Sequence, residues 1–126
     1  MLRKKNYLSW INDSLDELVK GQDNDSKSST YGCFDKYFWK EKKVKCVNAR
    51  FQEALLTLAW IYKRNHSKNL RKRIIAGLDF LSKIQNKDGS FPELTKKERS
   101  FAATAFVSYA TLCAIEILGE QEKYSN

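Results

Sequence analysis

The chain of 126 residues is the size of one ordinary domain and leaves little room for two. Hydrophobic residues make up 42% and aromatics 13%, enough to fill a core, which excludes global disorder. With 5 Gly and 1 Pro a strand-rich fold with many tight turns is disfavoured, and 23 Lys and Arg against 15 Asp and Glu leave a net charge of +8 that favours acidic partners.

Met1-Leu2-Arg3-Lys4-Lys5 is like the basic start of an export signal, but Asn12, Asp13 and Asp16 break any apolar stretch behind it. Tyr7, Leu8, Ile11, Leu15, Leu18 and Val19 instead recur at three- and four-residue steps, which predicts a helix with one apolar side. Gly21 and the polar run from Gln22 to Thr30 end it, and Asp23-Asn24-Asp25-Ser26 reads as solvated loop. A second helix is expected from near Asn48 to about Arg64. From Ala54 to Tyr62 only Thr57 is polar, so this helix must be covered on most of its circumference.

A third helix, N-capped by Ser67, carries Leu70, Ile74, Ile75, Leu78, Leu81 and Ile84 opposite Arg71, Lys72, Asp79 and Lys83. Asn86-Lys87-Asp88-Gly89-Ser90 is a turn, and Pro92 stops any continuing helix. The fourth helix, from about Ser100 to Leu118, is apolar nearly all round, with Gly119 ending it and residues 120–126 as a frayed tail. From Phe101 to Leu118, 14 of 18 residues are apolar. Glu116, the spaced hydroxyls and the lack of a bracketing aromatic belt make this a buried helix rather than a membrane span, and no membrane partner is expected. Cys33, Cys46 and Cys113 cannot all pair and form no C-x-x-C spacing, which points to a reducing, cytoplasmic setting.

The order is thus amphipathic, enclosed, amphipathic, enclosed. It predicts one all-α domain over 1–126 made of two consecutive outer-then-inner hairpins, about 3–64 and 67–119, followed by the tail. The two hairpins share residues at their turns. Leu18 precedes Gln22 as Leu81 precedes Gln85, and Gly32-Cys33-Phe34 echoes Gly89-Ser90-Phe91. A Gln at the end of an outer helix can bond open backbone groups, the Gly permits a tight reversal, and the aromatic plugs the gap between neighbouring hairpins.

The stretch Gly77-Leu78-Asp79-Phe80-Leu81 through Gln85, Asp88, Gly89 and Phe91 resembles the QW repeat of the terpenoid cyclase and protein prenyltransferase α/α-toroid superfamily, with Phe91 in place of the terminal Trp and Ala76 where a basic residue is usual. The resemblance implies a layered α/α fold that is incomplete here, since a closed toroid uses five or six such hairpins. It also implies relatives acting on polysaccharides or uronic acids, whose flavour is shared by Tyr31 to Trp39 with Asn48 to Glu53. The resemblance implies Tyr, His, Arg or Asn at the cavity mouth of the lyases and epimerases, a part that Tyr31, Tyr37 and Arg50 could take, whereas the cyclase and prenyltransferase motifs are not reproduced. Asp23-Asn24-Asp25-Ser26 lacks the last Asp of the cyclase acid motif, and Asp35 follows Cys33 where the prenyltransferase zinc site has Asp first. No metal and no cofactor are expected.

Two surfaces are candidates for ligand contact. On the inner helices, Glu53, Thr57, Trp60 and Arg64, and Ser100, Thr104, Ser108 and Thr111, fall at helical steps on one face each. The loop from Tyr31 to Lys45 combines Tyr31, Phe34, Tyr37, Phe38 and Trp39 with five lysines, a mixture suited to acidic sugars or single-stranded nucleic acid. If the chain is an enzyme, Glu53, Arg50 and Tyr37 are the base, anion clamp and proton donor. The balance is against catalysis by the isolated chain.

The first reading is therefore a partial toroid module that binds, or supports processing of, an acidic carbohydrate or isoprenoid-type ligand. The second is a lyase, epimerase, prenyltransferase or cyclase-like enzyme active only as a homo-oligomer, or with a partner chain covering the open hairpin face. The third is a basic nucleic-acid-binding protein, favoured by six basic residues among the eleven from Lys63 to Arg73 but lacking a helix-turn-helix pattern.

Overall fold

The structure, a computed structural model, describes residues 4–34 and 47–124, with side chains for 6–34 and 47–120. Tyr37, Trp39 and the lysines expected beside them lie outside the described residues. Four helices form the fold: α1 (Lys4–Gly21), α2 (Ala54–Asn65), α3 (Lys68–Ile84) and α4 (Phe101–Tyr124), with a 3-10 turn (Ala49–Glu53) leading into α2. No strand occurs among the described residues, whose architecture is all-α.

Local chemistry sets the helix ends. The Asn48 carboxamide oxygen accepts the Arg50 N–H at 2.9 Å and starts the 3-10 turn. Ser67 Oγ accepts the Leu70 N–H at 3.4 Å and starts α3, as its sequence position predicts. Between them His66 adopts the left-handed conformation, φ 52°, and returns its N–H to the Tyr62 carbonyl, so its backbone closes α2.

α2 is the centre of the molecule. Leu55 and Leu58 are fully buried, with Ile74 of α3 and Val107 of α4 in the same core. α2 packs along both α3 and α4, which touch each other only sparingly. Gly77 lets α3 approach closely, because a methyl group there would lie 2.4 Å from the Leu55 side chain. Lys63 of α2 and Glu120 of α4 form an ion pair at 2.9 Å across the two helices. α1 adds Leu15, Leu18 and Val19 to the edge of the core, while Tyr7, Trp10 and Ile11 near its start remain exposed.

Three expectations are corrected. The fourth helix is not enclosed: Phe101, Phe106, Tyr109, Leu112 and Ile115 are all exposed, with Phe106 at 53% and Leu112 at 67%. Trp60, on the α2 helix expected to be enclosed, is likewise 54% exposed, whereas Leu55 of the same helix is buried. Apolar residues all round a helix report that it needs cover, and here the described residues cover one side. Gly119 does not end α4, which continues to Tyr124 through what was expected to be a frayed tail. A glycine inside a helix costs only about 1 kcal/mol and need not stop one. The segment Phe101–Glu120 is long and apolar enough to cross a membrane by length and composition alone, and 28% of its apolar window is buried inside the protein.

The third correction concerns Asp23, read as solvated loop. It is buried, and its carboxylate accepts the hydroxyls of Ser28 and Thr30 at 2.7 Å each and the Asp25 N–H at 3.1 Å. It organises the loop between α1 and the first turn glycine.

Candidate functional site

The repeat expected at the two turns is present in atomic detail. Gln22 Nε2 donates to the Gly32 carbonyl at 3.0 Å, and Gln85 Nε2 donates to the Gly89 carbonyl at 2.9 Å. Both glycines take positive φ, 88° and 87°, which an L side chain rarely adopts. Phe34 and Phe91 are both buried. Each aromatic residue then gives its backbone N–H to a side chain at the start of the following helix: Phe34 to Gln52 Oε1 at 2.9 Å, and Phe91 to Thr104 Oγ1 at 3.0 Å. The sequence identified the Gln, Gly and Phe of this frame. Gln52 was missed, and its signal was only a glutamine three residues past Ala49, where Thr104 stands three past Phe101.

The second turn is tied further. Asp88 Oδ1 accepts the Ser90 hydroxyl at 2.7 Å and the Ser90 N–H at 3.1 Å, and Oδ2 meets Arg99 at 3.0 Å. The Ser90 hydroxyl, then its N–H, hold this carboxyl below the usual range. Glu98 Oε2 gathers the backbone N–H groups of Leu94, Thr95 and Glu93, which likewise lower its pKa.

Of the three candidate catalytic residues, the fold brings two together. Arg50 Nε donates to Glu53 Oε1 at 3.2 Å, its Nη1 stands 4.0 Å from Glu93, and its guanidinium lies 4.7 Å above the Phe106 ring. Glu53 is therefore in direct contact with the intended anion clamp, and the third member, Tyr37, lies outside the described residues.

The candidate ligand-binding residues do not converge on one cavity. Thr57 lines a cleft of about 530 Å³ with Trp10, Ile11 and Leu18. Trp60 lines another with Leu8 and Ile11, and Lys63 Nζ lies 5.6 Å from its ring. Thr104 uses its hydroxyl on the Phe91 N–H and, as donor at 2.6 Å, on the Ser100 carbonyl. Ser108 lines a groove of about 330 Å³ between α3 and α4. Trp39 lies outside the described residues.

Tyr31 lines a different cleft, of about 470 Å³, together with Lys68, Arg71, Lys72, Ile75, Ala76 and Asp79 of α3. The three cations recur at helical spacing on one side of α3, so their charges face a common space. They belong to the basic run from Lys63 to Arg73, which was the signal available in the sequence. No group of three or more His, Cys, Asp and Glu side chains suited to a metal ion occurs among the described residues. No family model matches the chain, and no curated protein or solved structure matches it either.

Proposed function

We propose that the chain is a non-catalytic binding module of the α/α-toroid kind, and that its ligand is an acidic carbohydrate held in the cleft between Tyr31 and α3. The observation that carries this reading is the set of three cations, Lys68, Arg71 and Lys72, around one cleft that Tyr31 also lines. Carboxylates of a sugar acid meet the cations, and a pyranose ring stacks on Tyr31. The toroid assignment is supported by the doubled Gln–Gly–Phe turn. The enzyme reading is weakened because Arg50 and Glu53 pair with each other. An isoprenoid-type ligand would need an apolar site, such as the cleft lined by Trp10, Ile11 and Leu18, the one lined by Leu8, Ile11 and Trp60, or the exposed strip of α4.

Titration calorimetry with an oligogalacturonate and with a single-stranded oligonucleotide tests this. Binding of the sugar that falls at least tenfold in K68A/R71A/K72A supports the proposal. Preference for the oligonucleotide, with affinity falling by about 0.7 log units per phosphate contact for each log unit of salt, replaces it with the nucleic-acid reading. Absence of binding to either ligand overturns the assignment of the cleft.

A further inference from the structure

The two turn frames are alike, but what lies beside them is not. At the first, Gln22 Nε2 also donates to the Arg73 carbonyl of α3 at 2.9 Å, and Arg73 Nη1 returns a bond to the Val19 carbonyl at 3.3 Å. The Ala76 carbonyl sits directly over Gly32. The first hairpin thus receives the next helix, α3, on its following edge. At the second frame Gln85 is exposed, and beside it the groove between α3 and α4 is open, walled by Leu78, Leu81, Phe91, Ser108 and Leu112.

The opposite edge of the molecule carries the matching deficit. Counted back from Gln22 and Gln85, Tyr7 corresponds to Leu70, Trp10 to Arg73, Ile11 to Ile74 and Asp13 to Ala76. Ile74 is fully buried and Ile11 is 39% exposed; Leu70 is buried and Tyr7 is not. Tyr7 and Ile11 are thus exposed where α3 has buried residues, and Trp10 and Asp13 stand where α3 meets the first turn through Arg73 and Ala76.

We propose that a second copy of this chain docks its α1–α2 edge against the α3–α4 edge of the first, carrying the internal repeat from one chain into the next. Trp10 and Ile11 of the arriving α1 enter the groove beside Leu112, and Gln85 gains a backbone carbonyl of α1 as Gln22 has that of Arg73. Charge agrees with this seating. Asp13, where α3 has Ala76 over Gly32, comes to the Gly89 turn, where Asp88 is paired with Arg99 at 3.0 Å and the exposed Lys83 and Lys87 leave a positive balance. Glu17 of α1 is already paired with Lys20 at 2.8 Å, which leaves Asp13 and Asp16 as the carboxylates of α1 open to a neighbour. An edge two helices wide and about 27 Å long is of the order of the ~800 Å² per partner that specific contacts bury. The contact is head-to-tail, so the two surfaces are different and a chain can use both. It is independent of the ligand proposed for the cleft.

The test is sedimentation velocity on the 126-residue chain and on two variants, Trp10→Asp and Leu112→Asp, whose side chains are exposed. Far-ultraviolet dichroism and thermal melting confirm that each variant folds. Expected are wild-type species larger than the monomer that grow with concentration, monomers for each variant alone, and a dimer that grows no further when the two are mixed, because one intact pair of edges remains. A wild-type mass that stays monomeric up to about 1 mM overturns the proposal. So does an oligomer that survives Trp10→Asp and disappears only with Leu112→Asp, which would be a symmetric contact of α4. Transfer of wild-type monomer onto phosphatidylcholine vesicles would assign the α4 strip to a lipid surface and also overturn it.

Discussion

The two turns share one hydrogen-bond frame and differ in what that frame supports. At Gly32 the backbone is pressed against α3; an added methyl would lie 2.1 Å from the Ala76 carbonyl oxygen. At Gly89 the same φ occurs with open space, the nearest atom being Gln85 Nε2 at 4.0 Å. Equal backbone geometry therefore carries unequal cost, because the first glycine answers to conformation and packing and the second to conformation alone.

Substituting the glycines breaks this comparison most sharply. Gly32→Ala is expected to cost more than about 3 kcal/mol in urea unfolding, since strain and a backbone clash add. Gly89→Ala should cost about 1–2 kcal/mol, the price of the left-handed region alone. Equal losses would mean that α3 does not rest on the first turn. The glutamines come next. Gln22→Ala removes a buried amide that serves two carbonyls and should cost about 2–3 kcal/mol, whereas exposed Gln85→Ala should cost about 0.5–1 kcal/mol.

The smallest effect separates the turns by pH. Glu98, which organises the segment after the second turn, has its pKa lowered by three backbone N–H groups, so its contribution is present above the ordinary carboxylate range and is lost as pH falls through the lowered value. The protection factors for amide exchange at Glu93, Leu94 and Thr95, taken relative to the intrinsic rate at each pH, should fall on acidification, and Glu98→Gln should remove most of that dependence while leaving the first turn unaffected.

Much of the fold was legible because its signals are local. Ser67 caps α3, the Gly32 and Gly89 turns follow their glutamines, and the apolar steps of α1 and α3 mark one side of each helix. What was not legible is relational. The uniform apolarity of α4 disclosed a demand for cover without saying what supplies it, so Phe106 and Leu112 were placed inside. Asp23 looked like any loop acid because its hydroxyl donors, Ser28 and Thr30, fold back on it only in three dimensions. The cleft was obscured for the same reason: Tyr31 and Lys68 are far apart in sequence and meet only when α3 lies on the first turn. Arg50 and Glu53 were named for chemistry, and their spacing of three on one turn also made them ready to pair with each other.

Gln22 donates to a carbonyl 51 residues further along the chain. During synthesis the first reversal would thus emerge with its amide half-employed and the floor beneath Gly32 uncovered until α3 leaves the ribosome. The early hairpin is expected to wait, loosely gathered, for a segment made later, which places the rate-limiting closure in the arrival of α3 rather than in the winding of any single helix.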